Sequence, residues 1–143
     1  MIKIICIGKL KEKYLIDAVN EYAKRISKYT KLQIIELKDT DISKEKEEIL
    51  KHIDKEFIIT LEIEGNKIDS NNLAKKIDSI FMNNSNICFI IGGSTGLHDE
   101  IKKISNFSLS FSDLTFPHQL FRVMLLEQIY RSFKILKNET YHK

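Results

Sequence analysis

Apolar residues recur along the chain in two rhythms, and the alternation between them predicts the elements. Ile2 to Ile7 is a short β-branched run, a strand, and after Gly8-Lys9 the positions Tyr14, Leu15, Ala18, Val19, Tyr22 and Ile26 fall at helical spacing. Leu32 to Leu37 is a second strand. A charged, weakly amphipathic segment from Ser43 to Ile53 follows, with Ile49, Leu50 and Ile53 available to cover a sheet. Phe57 to Ile63 is a third strand, closed by the turn signal Glu64-Gly65-Asn66. Ser70 then caps a helix whose inward face is Leu73, Ile77, Ile80 and Phe81.

Ile87 to Ile91 is apolar without interruption, as a strand covered on both faces must be, and it runs into Gly92-Gly93-Ser94-Thr95-Gly96. A short helix from Asp99 to Ile104 and a strand from Phe107 to Phe111 come next. The loop Ser112 to Phe116 leads to Pro117, whose fixed φ suits the first turn of a helix. That last helix, His118 to Leu136, is apolar on too much of its circumference for a surface helix and should be buried on two sides. In so small a chain the simplest second cover is another copy, so a homodimer through this helix is expected. Strands alternating with helices predict an α/β fold with a mainly parallel sheet, and 143 residues suit one domain spanning 1–143.

Composition narrows the class. The chain is 43% hydrophobic and 30% charged, enough for one core and too apolar for disorder. No apolar run approaches the roughly 20 residues of a membrane helix, and the N-terminal run is too short for a signal peptide, so the expected address is cytoplasmic with no membrane partner. Cys6 and Cys88 each stand alone in a β-branched run and read as reduced core residues. The net charge of +3 is unevenly spread: 16 basic and 17 acidic residues precede Ile101, whereas 7 basic and 3 acidic follow. The basic C-terminal part is compatible with a nucleic-acid partner, although a solvated lysine face has the same composition.

Ligands of open parallel sheets bind beyond the carboxyl ends of strands, where glycines let the backbone approach closely. Three such ends stand out: Thr60 to Gly65, the glycine loop from Gly92, and Ser110 to Phe116. The glycine loop lacks the spacing of a dinucleotide fingerprint and the Lys-Ser/Thr of a P-loop, which disfavours a nucleoside triphosphate. Leu61, Leu97, Leu114 and Phe116 could wall a pocket for a flat ring or simply pack the core. No nucleophile elbow and no metal-spaced His, Cys or carboxylate cluster occurs, so hydrolase and metal chemistry are not expected. His52 reads as a solvated helix residue and His98 as a cap. His118, beside a helix N-terminus whose dipole disfavours a cation, is a candidate proton acceptor, with a surface histidine as the alternative. The tail Tyr141-His142-Lys143 holds residue types that stack on bases and meet phosphates, or that simply decorate a frayed terminus. Arg122 needs an anion: a phosphate, or a carboxylate such as Glu127.

Gly8-Lys9-Leu10-Lys11-Glu12-Lys13-Tyr14, Thr60-Leu61-Glu62-Ile63, Ile91 to Leu97, Leu109 to Ser112, Thr115 to Gln119 and the terminal Tyr141-His142-Lys143 together resemble, in order and over essentially the whole chain, one family. It is the bacterial large-subunit ribosomal RNA pseudouridine N3-methyltransferases of the SPOUT class. The resemblance implies a homodimer that binds S-adenosyl-L-methionine in a C-terminal trefoil knot and methylates N3 of a pseudouridine in 23S rRNA of the assembled ribosome. By position it places the cofactor at Leu61, Gly92, Phe111, Ser112, Asp113, Leu114, Thr115 and Phe116, the three strand ends already chosen. His118 or His142 would take the imide proton, while Arg122, Tyr141 and Lys143 would contact RNA, and no metal is implied. The segment Lys38 to Glu48 is shorter than is usual in the family, and Asn66 stands where lysine is expected. Two other readings fit the same residues: a SPOUT-type tRNA ribose methyltransferase, and a ribosome-associated RNA-binding protein without activity.

Overall fold

A computed structural model describes residues 1–143 as one α/β sandwich. Its elements are β1 (Ile2–Ile7), α1 (Lys13–Ile26), β2 (Leu32–Leu37), α2 (Ile42–Lys51), β3 (Phe57–Lys67), α3 (Ser70–Asn83), β4 (Ile87–Ile91), α4 (Asp99–Ile104), β5 (Phe107–Ser110) and α5 (His118–Leu136). The five strands form one sheet in the order β2-β1-β4-β3-β5, and every pairing is parallel. The alternating pattern therefore meets the expectation of a mainly parallel α/β fold.

Alternate residues of each strand point to opposite faces, and the core divides accordingly. Ile2, Ile4 and Cys6 of β1 join Phe89 of β4 and Ile59 of β3 under α1, α3 and α5. Ile5 and Ile7, with Ile58, Cys88 and Ile90, pack instead under Ile49 of α2 and Ile101 of α4. Both cysteines are free and buried, and burial pushes the thiols of Cys6 and Cys88 up to about 11 and about 12.

Several boundaries differ from the sequence expectation, each for a physical reason. β3 does not end at a turn: its register to β5 shifts between Leu61 and Asn66, so the residues between bulge outward and the strand resumes to Lys67. The Asn66 side-chain amide donates to the Ser108 carbonyl across the bulge (2.9 Å). The cap of α3 is Asp69, which accepts from the Asn72 amide, while the Ser70 hydroxyl donates to Gln128 of α5. Pro117 is the N-cap of α5, its carbonyl accepting the first helical bond from Phe121. Tyr14 is 69% exposed and lies off the buried stripe of α1.

The two-sided burial of α5 is real, but its covers lie within the chain. Tyr22 and Tyr29 on one flank pack against Tyr130 and Phe133, and α3 takes the other flank. The apolarity of α5 thus does not by itself require a second copy.

Candidate active site

The carboxyl ends of β4 and β5 and the β3 bulge open onto one cavity of about 370 Å³, and the three segments chosen from sequence line it together. Leu61, Gly92, Phe111, Ser112, Leu114, Thr115 and Phe116 all contribute to the wall. Asp113 is the exception among the implied cofactor residues: its carboxylate turns outward to pair with Lys67 beyond the β3 bulge. At that position only the backbone is left to serve a ligand.

Each wall is held by local chemistry. Gly93 to Gly96 forms a tight turn, closed by the Gly96 amide donating to the Gly93 carbonyl (3.0 Å), with Gly96 at φ 78°. A β-carbon on Gly92 would lie 2.7 Å from the Gly96 carbonyl carbon, so only glycine lets the turn fold back onto the end of β4. On the β5 side, the Ser110 hydroxyl donates to the Ser112 carbonyl and the Ser112 hydroxyl accepts from the Leu114 amide, shaping the loop before α5. Phe111 and Phe116 both pack on Phe121 of α5 (4.7 and 6.1 Å between ring centres). On the β3 side the buried Thr60 hydroxyl meets Glu62 (2.6 Å) and Ser105 (2.7 Å), fixing the strand where the bulge leaves it.

The exposed wall is chiefly apolar, with Leu61, Ile91, Leu97, Leu109, Leu114 and Phe116, and its charged groups are Glu62, Glu64 and Lys102. Such a slot suits a flat heterocycle, and its size is that of sites for cofactor-sized ligands. Ile63, Leu97, Lys102 and Phe121 also line it. Leu97, as a possible pocket wall, and Ile63, within the strand end Thr60 to Gly65, were expected from sequence, whereas Lys102 and Phe121 were not, because nothing in sequence distance links α4 or α5 to β3.

The other candidates scatter. His118 lines the cavity at the start of α5 and is exposed. His142 lies in the C-terminal tail, with its Nδ1 2.9 Å from a guanidinium nitrogen of Arg131. Since a guanidinium can only donate, that ring nitrogen accepts, and the neutral ring carries its proton on Nε2. Tyr141 is folded back onto α5, edge-on to Tyr130 (4.8 Å), with its hydroxyl donating to Glu127 (3.0 Å) and Arg131 over its ring. That hydrogen bond and burial raise its pKa above the usual tyrosine value, burial contributing most. Lys143 is exposed. His98 caps α4, its Nδ1 accepting from the Glu100 amide.

Arg122 requires a correction. Its side chain is 1% exposed, and the guanidinium donates to Glu36 (2.6 Å) and to the Gly8 carbonyl (3.1 Å), not to a phosphate and not to Glu127. Glu127 is occupied by Arg131 and Tyr141. An interior guanidinium cannot reach an RNA backbone, and the helical position that brings Arg122 over β1 and β2 is set by how α5 crosses the sheet.

Comparison with known proteins gives the family. The family described as "Predicted SPOUT methyltransferase" matches residues 1–142. The Ribosomal RNA large subunit methyltransferase H of Clostridium botulinum (strain Alaska E43 / Type E3) is 54% identical, over 99% of this chain and 99% of that protein. Among solved structures, the tRNA (m1G37) methyltransferase of Aquifex aeolicus superposes on 91% of this chain and 69% of its own, with a TM-score of 0.57 and 15% identity. The SpoU methyltransferase AviRb of Streptomyces viridochromogenes, in complex with the cofactor AdoMet, covers 92% of this chain and 57% of its own, with a TM-score of 0.51 and 8% identity. At such identities the structures share the fold, whereas the match over residues 1–142 and the 54% identity establish kinship: the chain belongs to the SPOUT methyltransferase family.

Proposed function

We propose that the chain is an S-adenosyl-L-methionine-dependent methyltransferase that acts on N3 of a pseudouridine in 23S rRNA within the assembled ribosome. The observation that carries this reading is the meeting of three strand-end loops, far apart in sequence, at one apolar cavity. Support for the substrate comes from the relative named for large-subunit ribosomal RNA, and support for the donor from the AdoMet complex of a protein with the same fold. The residues present fit the donor. Leu61, Leu97 and Phe116 offer apolar faces for the adenine ring, and the glycine turn at Gly92 brings main chain where a side chain would stand.

When bound, the donor supplies an activated methyl group for in-line displacement by a ring nitrogen. The protein's share is placement: holding reacting atoms about 3–3.5 Å apart and aligned supplies several kcal/mol through effective concentration. The loop Phe111 to Phe116 and the glycine turn fix one reactant, and His118, in the cavity wall, accepts the imide proton of the other. His142 is the less suited acceptor in this arrangement, because its Nδ1 already accepts from Arg131. Tyr141 and Lys143 meet the RNA from the tail. A C-terminal trefoil knot and a homodimer, implied by the family, complete the proposed enzyme, with the cytoplasm as its address.

Titration calorimetry with S-adenosyl-L-methionine, followed by methylation of intact ribosomes and of extracted rRNA, tests the proposal. We expect donor binding and activity on ribosomes alone, with the new methyl found on pseudouridine by nucleoside mass spectrometry. Methylation of a tRNA ribose instead would favour the first rival reading, and a folded protein that binds no donor would favour the RNA-binding module.

A further inference from the structure

We propose that the β1–α1 loop, Gly8 to Glu12, is an RNA-backbone contact that α5 holds rigid beside the cavity. This rests on the reading of the protein as an RNA methyltransferase and adds to it the surface that meets the phosphates. The segment Gly8-Lys9-Leu10-Lys11-Glu12-Lys13 carries three lysines in five positions. Surface loops of this composition are ordinarily mobile. Here the main chain is tied down residue by residue.

The Gly8 amide donates to the Leu37 carbonyl (2.7 Å), with Gly8 at φ 93°, a conformation that favours glycine. The Gly8 carbonyl accepts from the Arg122 guanidinium (3.1 Å). The Leu10 amide donates to Glu36 (3.0 Å), the same carboxylate that neutralises Arg122. Gln119 then brackets the tip: its side-chain carbonyl accepts from the Lys11 amide (3.3 Å) and its side-chain amide donates to the Lys9 carbonyl (3.4 Å). Buried ion pairs contribute little net stability and serve better to fix geometry. What the Arg122–Glu36 pair fixes, together with Leu10 packed on the core, is a loop whose Lys9 and Lys11 side chains play no part in fixing it.

Lys9 and Lys11 bond within the chain only through their backbone groups, and both side chains are exposed. Lys13 pairs with Asp17 one helical turn on, with both side chains well exposed. Two uncompensated ammonium groups on a rigid support therefore stand beside Gln119, the residue next to His118 of the cavity wall. A lysine whose main chain is already held loses less freedom on meeting an anion than one on a mobile loop, so ordering the loop in advance favours binding. The partner that fits is a polyanion approaching His118, and for a methyltransferase acting on RNA that is the phosphate backbone flanking the target base. The contact is independent of sequence, since ammonium groups read charge and not base edges.

The test is a double variant, Lys9→Gln with Lys11→Gln, assayed for binding to intact ribosomes across a salt series, with S-adenosyl-L-methionine binding measured in parallel. Each lost phosphate contact flattens the log–log salt dependence by about 0.7 to 0.9, so a slope shallower by roughly 1.5 is expected, with donor affinity unchanged. Lys9→Arg with Lys11→Arg should restore the slope, which a merely structural role of the loop would not predict. Gln119→Ala, which frees the tip while keeping both charges, should raise KM for RNA more than it lowers kcat. An unchanged slope in the glutamine variant overturns this inference alone. A wild-type protein that binds the donor but neither binds nor methylates intact ribosomes overturns the functional reading and this inference with it.

Discussion

At Gly92 one methyl group decides whether the cavity keeps its shape. The β-carbon of an alanine would fall 2.7 Å from backbone carbon and 2.8 Å from backbone oxygen of Gly96, and neither can swing aside as a side chain could. Gly92→Ala should therefore open the turn, weakening donor binding by about tenfold or more, about 1.4 kcal/mol, as read by calorimetry. Arg122 is the converse case, a charge whose loss is felt in stability. Arg122→Met keeps the bulk but strands the Gly8 carbonyl and leaves Glu36, a third exposed, without its cation. Breaking such a pair costs about 3 kcal/mol, to be checked by urea unfolding. Its Nε has no partner within the chain, so the guanidinium is not fully satisfied even in the native state.

At the scale of elements, α2 shows how a helix with a weak apolar stripe is still recruited to the site. Its N-cap is Asp41, accepting from the Lys44 amide, and its buried Glu45 accepts from the Thr40 amide (2.9 Å) while lying close under Gly93 of the glycine turn. Burial raises the pKa of Glu45, the Thr40 bond opposes the rise, and Asp39 and Asp41 reinforce it. A carboxyl that holds its proton more tightly when folded favours the native state below the unfolded value, near 4.5, and that contribution is lost as pH rises through the folded value. Glu45→Gln should thus be more stable than the parent at neutral pH, with the advantage shrinking to nothing in acid. Thermal melts over a pH series would show it, and an equal shift at every pH would contradict the assignment. The tail is an element of its own kind: Asn138, at φ 55°, ends α5 and turns the chain back so that Tyr141 docks on the helix it follows.

Over the whole molecule, three helices cover one face of the sheet and two the other, and the site opens where β4 and β5 end beside the β3 bulge. The first turn of α5 lies at that end, and the flank cover supplied by α1 and α3 leaves Leu120 39% exposed, near Leu114 in sequence, itself 70% exposed. A proposed homodimer would bury this apolar end of α5. Leu120→Glu should then convert dimers to monomers in sedimentation velocity, whereas a wild type that sediments as a monomer would remove the proposal.

The order of elements and the depth of β4 were legible in the sequence because hydrophobic period and β-branched runs are local properties, set within a few residues. Two of the strand ends could be chosen the same way, since Gly65 and Gly92 stand beside the end of an apolar run, and the third, Ser110 to Phe116, by its place between a strand and Pro117. The β3 bulge was not legible, because Glu64-Gly65-Asn66 carries the same turn chemistry whether the chain stops there or bends and pairs again with β5. Nor was the partner of Arg122: Glu36 is 86 residues away and becomes a neighbour only when α5 crosses β1 and β2. Local chemistry by itself determined the α/β class and the loops with the means to bind. Only the tertiary structure decided which loops share one cavity, which charges are spent inside, and which lysines remain free, because those depend on distances in space that no spacing along a chain encodes.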